Sequence, residues 1–106
     1  MIGDLETATL AAVAQLAPNA YGVTIRARVG EILARRPPSV GSIHQVLRRL
    51  ERQGLLRAQK GDPLPARGGR ARRLFSITAA GAQILDRTMR QLAGRIRALA
   101  PTWRPA

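Results

Sequence analysis

The chain has 106 residues and no cysteine, so it is long enough for one domain, and disulfide and thiolate chemistry are excluded. Eighteen Lys and Arg residues against six Asp and Glu residues give a formal net charge of +12. An excess of this size on a small body predicts a polyanionic partner. Aromatic residues make up only 3%, so we expect a core of aliphatic side chains in a mainly helical domain.

The N-terminal segment predicts a first helix over residues 4–17, because Leu5, Leu16 and other apolar residues recur on one side of it. Its apolar run is far too short for a membrane span, and Asp4 and Glu6 stand where a secretory signal would carry basic residues. We therefore expect a cytoplasmic protein that does not bind membranes and that associates with the nucleoid if its polyanion is DNA.

Two further helices are predicted over residues 21–35 and 39–53, and Pro37 with Pro38 separates them because proline stops a helix. Ser39 suits the N-cap of the third helix, and Gly54 stands where a left-handed C-terminal cap belongs. Local signals thus define both ends of the third helix.

The third helix has two unlike faces at 100° per residue. The residues expected to anchor it in the core are Val40, Ile43, Val46, Leu47 and Leu50. The remaining arc carries small, hydrogen-bonding and cationic side chains, namely Gly41, Ser42, His44, Gln45, Arg48, Arg49 and Arg52. Such groups bind phosphates and base edges, and small residues in the first turn let the backbone come close to them. An ordinary solvated helix face is the alternative.

A β-hairpin is predicted next, with strands over residues 55–60 and 73–77 around a Pro- and Gly-rich loop over 61–71. Basic residues crowd around this loop, namely Arg57, Lys60, Arg67, Arg70, Arg72 and Arg73. A flexible basic loop beside a groove-binding helix supplies backbone or minor-groove contacts, and a mere linker is the alternative.

Thr78 suits the N-cap of a final helix over residues 79–100, which Pro101 ends. Its apolar residues follow one another at intervals of 4, 3, 4 and 3, namely Leu85, Met89, Leu92, Ile96 and Leu99. This spacing is that of a coiled-coil seam. We expect the first part of the seam to pack on its own domain and the part from Met89 onward to pair with a second copy, an intramolecular core being the alternative.

Two stretches of the chain carry a family resemblance. The first is Ala20-Tyr21-Gly22 followed by residues 41–56, Gly-Ser-Ile-His-Gln-Val-Leu-Arg-Arg-Leu-Glu-Arg-Gln-Gly-Leu-Leu. The second is residues 69–81, Gly-Arg-Ala-Arg-Arg-Leu-Phe-Ser-Ile-Thr-Ala-Ala-Gly. Together they resemble the PadR family of phenolic-acid-decarboxylase-type repressors, in its short, single-domain subgroup. Family members usually have Tyr at the position of His44, so a contact made through a phenol is not expected here.

The resemblance implies a mainly α fold with a small β-hairpin. It consists of a winged helix-turn-helix domain over residues 1–78, a dimerisation helix over 79–100 continuous with it, and a flexible tail over 101–106. Members of the family are dimeric transcription factors, usually repressors, and their third helix enters the major groove of DNA.

The expected site residues fall into three groups. The third helix is expected to meet DNA through Ser39, Ser42, His44, Gln45, Arg48 and Arg49. The wing is expected to add Lys60, Arg67, Arg70 and Arg72. Family members pair through the first and last helices, so the expected dimer interface comprises Leu5, Leu85, Met89, Leu92, Ile96 and Leu99.

We therefore predict a sequence-specific transcriptional regulator that binds double-stranded DNA as a homodimer on an inverted repeat. The family resemblance implies that it is a repressor. The alternative is a basic nucleoid or RNA-binding protein without sequence specificity. The small and polar residues at the start of the third helix favour the regulator, as does the absence of an aromatic platform for stacking bases.

An enzyme is not expected. His44 is the only histidine, the six carboxylates show no paired or metal-ligand spacing, and no glycine-rich phosphate loop follows a strand. We predict no catalytic residue, metal site or cofactor. Some members of the resembling family bind planar compounds between aromatic side chains at the dimer interface. The seam here offers Met89 and Leu92 but no aromatic residue, so we expect any effector pocket to be weak or absent.

Overall fold

The computed structural model describes residues 2–63, 71–101 and 105. The chain forms α1 (Asp4–Leu16), α2 (Gly22–Leu33), α3 (Val40–Arg52), β1 (Leu56–Pro63), β2 (Ala71–Ile77) and α4 (Ala79–Leu99). The predicted fold class, mainly helical with one hairpin, is confirmed. Within the described ranges, no helix combines the length and the hydropathy that crossing a bilayer requires. The expected tail lies mostly outside the described residues.

Helix α2 ends two residues earlier than the prolines predict. Ala34 follows it in the left-handed conformation, with φ 52°, and its N–H bonds to the carbonyls of Glu31 and Gly30. The chain then folds back so that Pro37 lies against Gly30, where a Cβ would be 2.8 Å from the proline ring. The tight turn to α3, rather than the loss of a proline N–H, therefore ends the helix.

Helix α3 has the caps that its sequence predicts. The Ser39 hydroxyl accepts the Ser42 N–H at 3.1 Å, and Gly54 follows the helix with φ 75°. Arg26 donates from Nε to the Pro38 carbonyl at 2.6 Å, which fixes the start of α3 against α2. The start of α3 is thus defined by its N-cap and by one hydrogen bond from the preceding helix.

The hairpin is longer than predicted. Strands β1 and β2 are antiparallel, with Leu56 opposite Ile77 and Lys60 opposite Arg73. The register shifts between Lys60 and Pro63, and the pairing then continues with Pro63 opposite Ala71. Residues 61–63 and 71, which the Pro and Gly content predicted as loop, are therefore strand, because ladder pairing across the hairpin outweighs their weak strand propensity.

The core lies where α1 meets α2, α3, α4 and β2. Its fully buried large side chains are Leu10, Val13, Ile25, Val29, Ile43, Leu47 and Leu50. The hairpin is tied to the helices by a bond from the Phe75 N–H to the Ala20 carbonyl at 2.8 Å. Thr78 caps α4 by accepting the Gly81 N–H at 3.1 Å and also donates to the Gly54 carbonyl at 2.6 Å. These bonds hold α3, the hairpin and α4 in one arrangement.

Candidate nucleic-acid interface

Helix α3 presents the amphipathic surface that its sequence predicts. Its four inward residues, Ile43, Val46, Leu47 and Leu50, are at most 4% exposed. The exposed side chains on the other arc are those of His44, Gln45, Arg48, Arg49 and Arg52. Burial of the apolar face leaves a continuous polar and cationic face directed at solvent.

Val40 is not the core anchor that the sequence predicts. It is 59% exposed and does not pack against the hydrophobic cluster. Val40 is the first residue of α3 and lies at the edge of its narrow apolar face, one turn before the buried residues begin. The first turn of α3 therefore extends beyond the core and exposes an apolar side chain beside the polar ones.

The two serines of this first turn bond to each other. Ser39 donates from its hydroxyl to the Ser42 hydroxyl at 2.9 Å while accepting the Ser42 N–H. The Ser39 hydroxyl is thus occupied by capping, whereas the Ser42 hydroxyl keeps its own proton for another acceptor. A contact from Ser39 to DNA stays a prediction, and Ser42 is the better placed of the two.

The cations on α3 differ in their partners. Arg49 forms an ion pair with Glu6 of α1, with 2.7 Å between Nη1 and Oε1. Arg48 and Arg52 form no ion pair with any residue that the structure describes. The sequence gives no signal for the Arg49–Glu6 pair, since its members lie 43 positions apart. Arg48 and Arg52 are therefore the unneutralised charges of this face.

Two arginines of β2 connect the hairpin to the helices. Arg73 bonds to the Glu51 carboxylate of α3 at 3.1 Å, and its guanidinium lies 5.7 Å from the Phe75 ring centroid. Arg72 lies over the Tyr21 ring at 4.7 Å, and its buried Nε has no hydrogen-bond partner within the described residues. Tyr21 thus has a structural role in this stack.

Of the predicted wing residues, Lys60 is exposed on β1 and Arg72 is partly buried. Arg67 and Arg70 lie outside the described residues. The structure therefore leaves one predicted wing cation, Lys60, exposed to solvent and places another, Arg72, over Tyr21 at the start of α2. The DNA-facing roles of all these residues stay predictions.

Helix α4 has a first part that packs on its own domain and a second part whose apolar side chains are exposed, as expected. Leu85 is partly buried and packs against the core, as does Leu5 of α1. Further along, Met89 is 48% exposed, Leu92 42% and Ile96 59%, and Leu99 at the end of the helix is 64% exposed. The described part of the chain leaves an apolar stripe uncovered on α4, and we call the residues Met89, Leu92 and Ile96 the α4 stripe.

Comparison with known proteins gives a family match. The model of the transcriptional regulator PadR-like family matches residues 10–87, from α1 into α4. No curated protein matches the chain.

Several solved structures have the same fold. A PadR family transcription regulator from Clostridium difficile R20291 is similar with a TM-score of 0.73 and 18% identity, covering 94% of this chain and 98% of its own. A PadR-like regulator from Bacillus cereus gives a TM-score of 0.74 and 18% identity, covering 96% and 93%. Bacillus subtilis PadR, solved in complex with operator DNA, gives a TM-score of 0.64 and 18% identity over 80% of this chain and 46% of its own.

Proposed function

The chain belongs to the PadR-like family of transcriptional regulators, and from this premise we propose that it binds double-stranded DNA with sequence specificity as a homodimer. Its target is an inverted repeat, with one α3 helix in the major groove of each half-site. We further propose that the protein represses transcription, since a dimer bound over a promoter blocks access to that promoter. The family is one of regulators, not of enzymes.

The observation that carries this proposal is the exposed face of α3. It combines Gln45 and His44, which can hydrogen-bond to base edges, with Arg48 and Arg52, which form no ion pair within the described residues. The Arg73–Glu51 bond holds the hairpin beside this face, so a wing contact and a groove contact can form together. The structure of Bacillus subtilis PadR in complex with operator DNA supports the proposal that this fold binds DNA.

The homodimer is supported by the α4 stripe. Three apolar side chains between 42% and 59% exposed lie along one side of a helix at coiled-coil spacing. Pairing two such stripes removes them from water and links two reading heads. A two-fold dimer places its α3 helices about one DNA turn, roughly 34–36 Å, apart, which matches an inverted repeat.

Nonspecific binding to nucleic acid is the second candidate function, and the net charge of +12 supports it. Two measurements distinguish sequence-specific from nonspecific binding. They are the selection of bound duplexes from a random library and then fluorescence anisotropy at about 200 mM salt. The proposal expects an enriched inverted repeat that binds at least about 1,000-fold more tightly than scrambled duplex. Equal affinities with only a steep salt dependence would establish nonspecific binding instead.

Arg48→Ala is expected to lose discrimination at particular base pairs by about 1–3 kcal/mol, because a direct contact to a base edge carries that much specificity. Lys60→Ala, on the hairpin, is expected to weaken all duplexes alike. Arg87→Ala is the control, since it removes the same charge from an exposed position on α4. Anisotropy on the selected operator and its single-base variants measures all three. A uniform loss for Arg48→Ala and a selective loss for Lys60→Ala would mean that the reader and the wing are reversed.

Glu6→Gln is expected to raise affinity for every duplex by about two- to fivefold and to steepen the salt dependence by about one unit, because it frees Arg49 for a phosphate. Glutamine still suits the third position of α1, where Glu6 accepts the Gly3 N–H, so the fold should be preserved. Asp4→Asn, an exposed residue in the same turn, removes the same charge without releasing an arginine. Equal gains for both variants would show that net charge alone is responsible.

A further inference from the structure

Val40 is a large apolar side chain that the fold leaves in solvent at the start of α3. Its side chain is 59% exposed, and it makes no contribution to the hydrophobic cluster. Valine is also among the weaker helix formers, because its branched side chain loses rotamer freedom against the preceding turn. Neither packing nor helix propensity therefore accounts for an apolar side chain at the start of α3.

The surroundings of Val40 are those of a base-reading surface. His44 lies one turn further along the same side of α3, since residues four apart are neighbours on a helix. Gly41 beside it is open, with nothing within 4 Å of where its Cβ would stand, so a groove floor can approach the backbone closely. Val40 is thus an exposed apolar side chain at the edge where the apolar face of α3 meets its polar and cationic face.

The major groove of DNA presents one apolar group, the 5-methyl group of thymine. We propose that Val40 contacts a thymine 5-methyl in each half-site and so determines specificity at that base pair. The inference rests on the proposed function, because it requires α3 to lie in the major groove. It adds a hydrophobic reading contact to the hydrogen-bonding ones of His44, Gln45 and Arg48.

Replacing single thymines by deoxyuridine tests this contact, since deoxyuridine lacks only the methyl group. On the selected operator, the wild-type protein is expected to bind about three- to tenfold more weakly when one particular thymine of a half-site is replaced. Val40→Ala is expected to bind the unmodified operator more weakly by a similar factor and to be insensitive to that replacement. Such a result is a positive coupling in a double-mutant cycle.

Val23→Ala is the matched control. Val23 is 53% exposed in the first turn of α2, so the change removes the same atoms from a similar environment outside α3. It is expected to keep the wild-type sensitivity to deoxyuridine. Circular dichroism of both variants checks the fold, which neither change should disturb because both side chains lie in solvent.

Two outcomes would overturn the inference in distinguishable ways. If every deoxyuridine replacement affects wild type and Val40→Ala equally while the operator is still bound selectively, the Val40 contact is absent and the proposed function stands. If no duplex is bound selectively by the wild type, the proposed function and the contact fail together.

Discussion

Leu92→Glu is expected to convert the proposed dimer into monomers and to weaken operator binding by at least about 100-fold. Leu92 lies between Met89 and Ile96 in the middle of the α4 stripe, and it is 42% exposed in the single chain. Pairing would bury its replacement as a carboxylate in an apolar seam, which costs several kcal/mol. Without pairing, each α3 helix binds one half-site alone and the gain from linkage is lost.

Gln91→Glu is the control for Leu92→Glu, because it adds the same charge on the same turn of α4 but outside the stripe. Sedimentation equilibrium measures the mass of each variant, and anisotropy measures operator affinity. Circular dichroism at one protein concentration checks that the helices persist. A Leu92→Glu protein that still sediments as a dimer would place the interface elsewhere.

Gly81→Ala is expected to lower the free energy of unfolding by about 3 kcal/mol, at the upper end of the usual cost of overpacking. Gly81 is buried in the first turn of α4, and an added Cβ would collide with the Leu55 carbonyl oxygen and lie 2.8 Å from Cγ1 of Ile77. The oxygen belongs to the backbone and cannot rotate away. The start of α4 would therefore have to move away from the hairpin and the end of α3.

Gly94→Ala provides the matched control in the same helix. Nothing lies within 4 Å of a Cβ at Gly94, so alanine is expected to raise the free energy of unfolding by about 0.5–1 kcal/mol through its helix propensity. Urea denaturation of both variants at one protein concentration measures the difference. Equal effects of the two substitutions would contradict the close approach of α4 to Leu55.

The effects of Gly81→Ala are expected to reach the proposed DNA-binding surface through backbone contacts. Thr78 caps α4 and donates to the Gly54 carbonyl at 2.6 Å, directly after α3. The Thr78 N–H bonds to the Leu55 carbonyl at 3.1 Å, the same group that Gly81 approaches. Any displacement of α4 therefore moves the α4 stripe relative to α3. In the proposed dimer, this relative position sets the spacing of the two half-sites.

Much of the fold follows from signals that act over a few residues. Ser39, Gly54 and Thr78 cap the helices where the sequence predicts, because a hydroxyl bonds to an N–H three residues away and glycine adopts positive φ at little cost. The buried face of α3 follows from helical periodicity, and the exposure of α4 beyond Leu85 follows from its extending past the body of the domain. The pairing of two α4 helices stays a prediction.

Other features depend on which elements pack together. The early end of α2 comes with the left-handed turn at Ala34, which folds Pro37 onto Gly30, and the longer hairpin comes from pairing between strands. Local propensity predicts otherwise at both places, because it carries no information about the contacts that a segment makes after the chain turns back on itself.

The sequence by itself determined the order of the helices, the caps of α3, the N-cap of α4 and the polar face of α3, because these depend on side-chain chemistry at fixed short spacings. Only the tertiary structure decided which side chains in and around the candidate interface are available. It placed Glu6 against Arg49, laid Arg72 over Tyr21, and left Val40 outside the core. The physical reason is that the neutralisation of a charge or the burial of a methyl group depends on what approaches it in space. For this interface, those neighbours are Glu6 of α1 and Tyr21 just before α2, both more than 40 residues away in the chain.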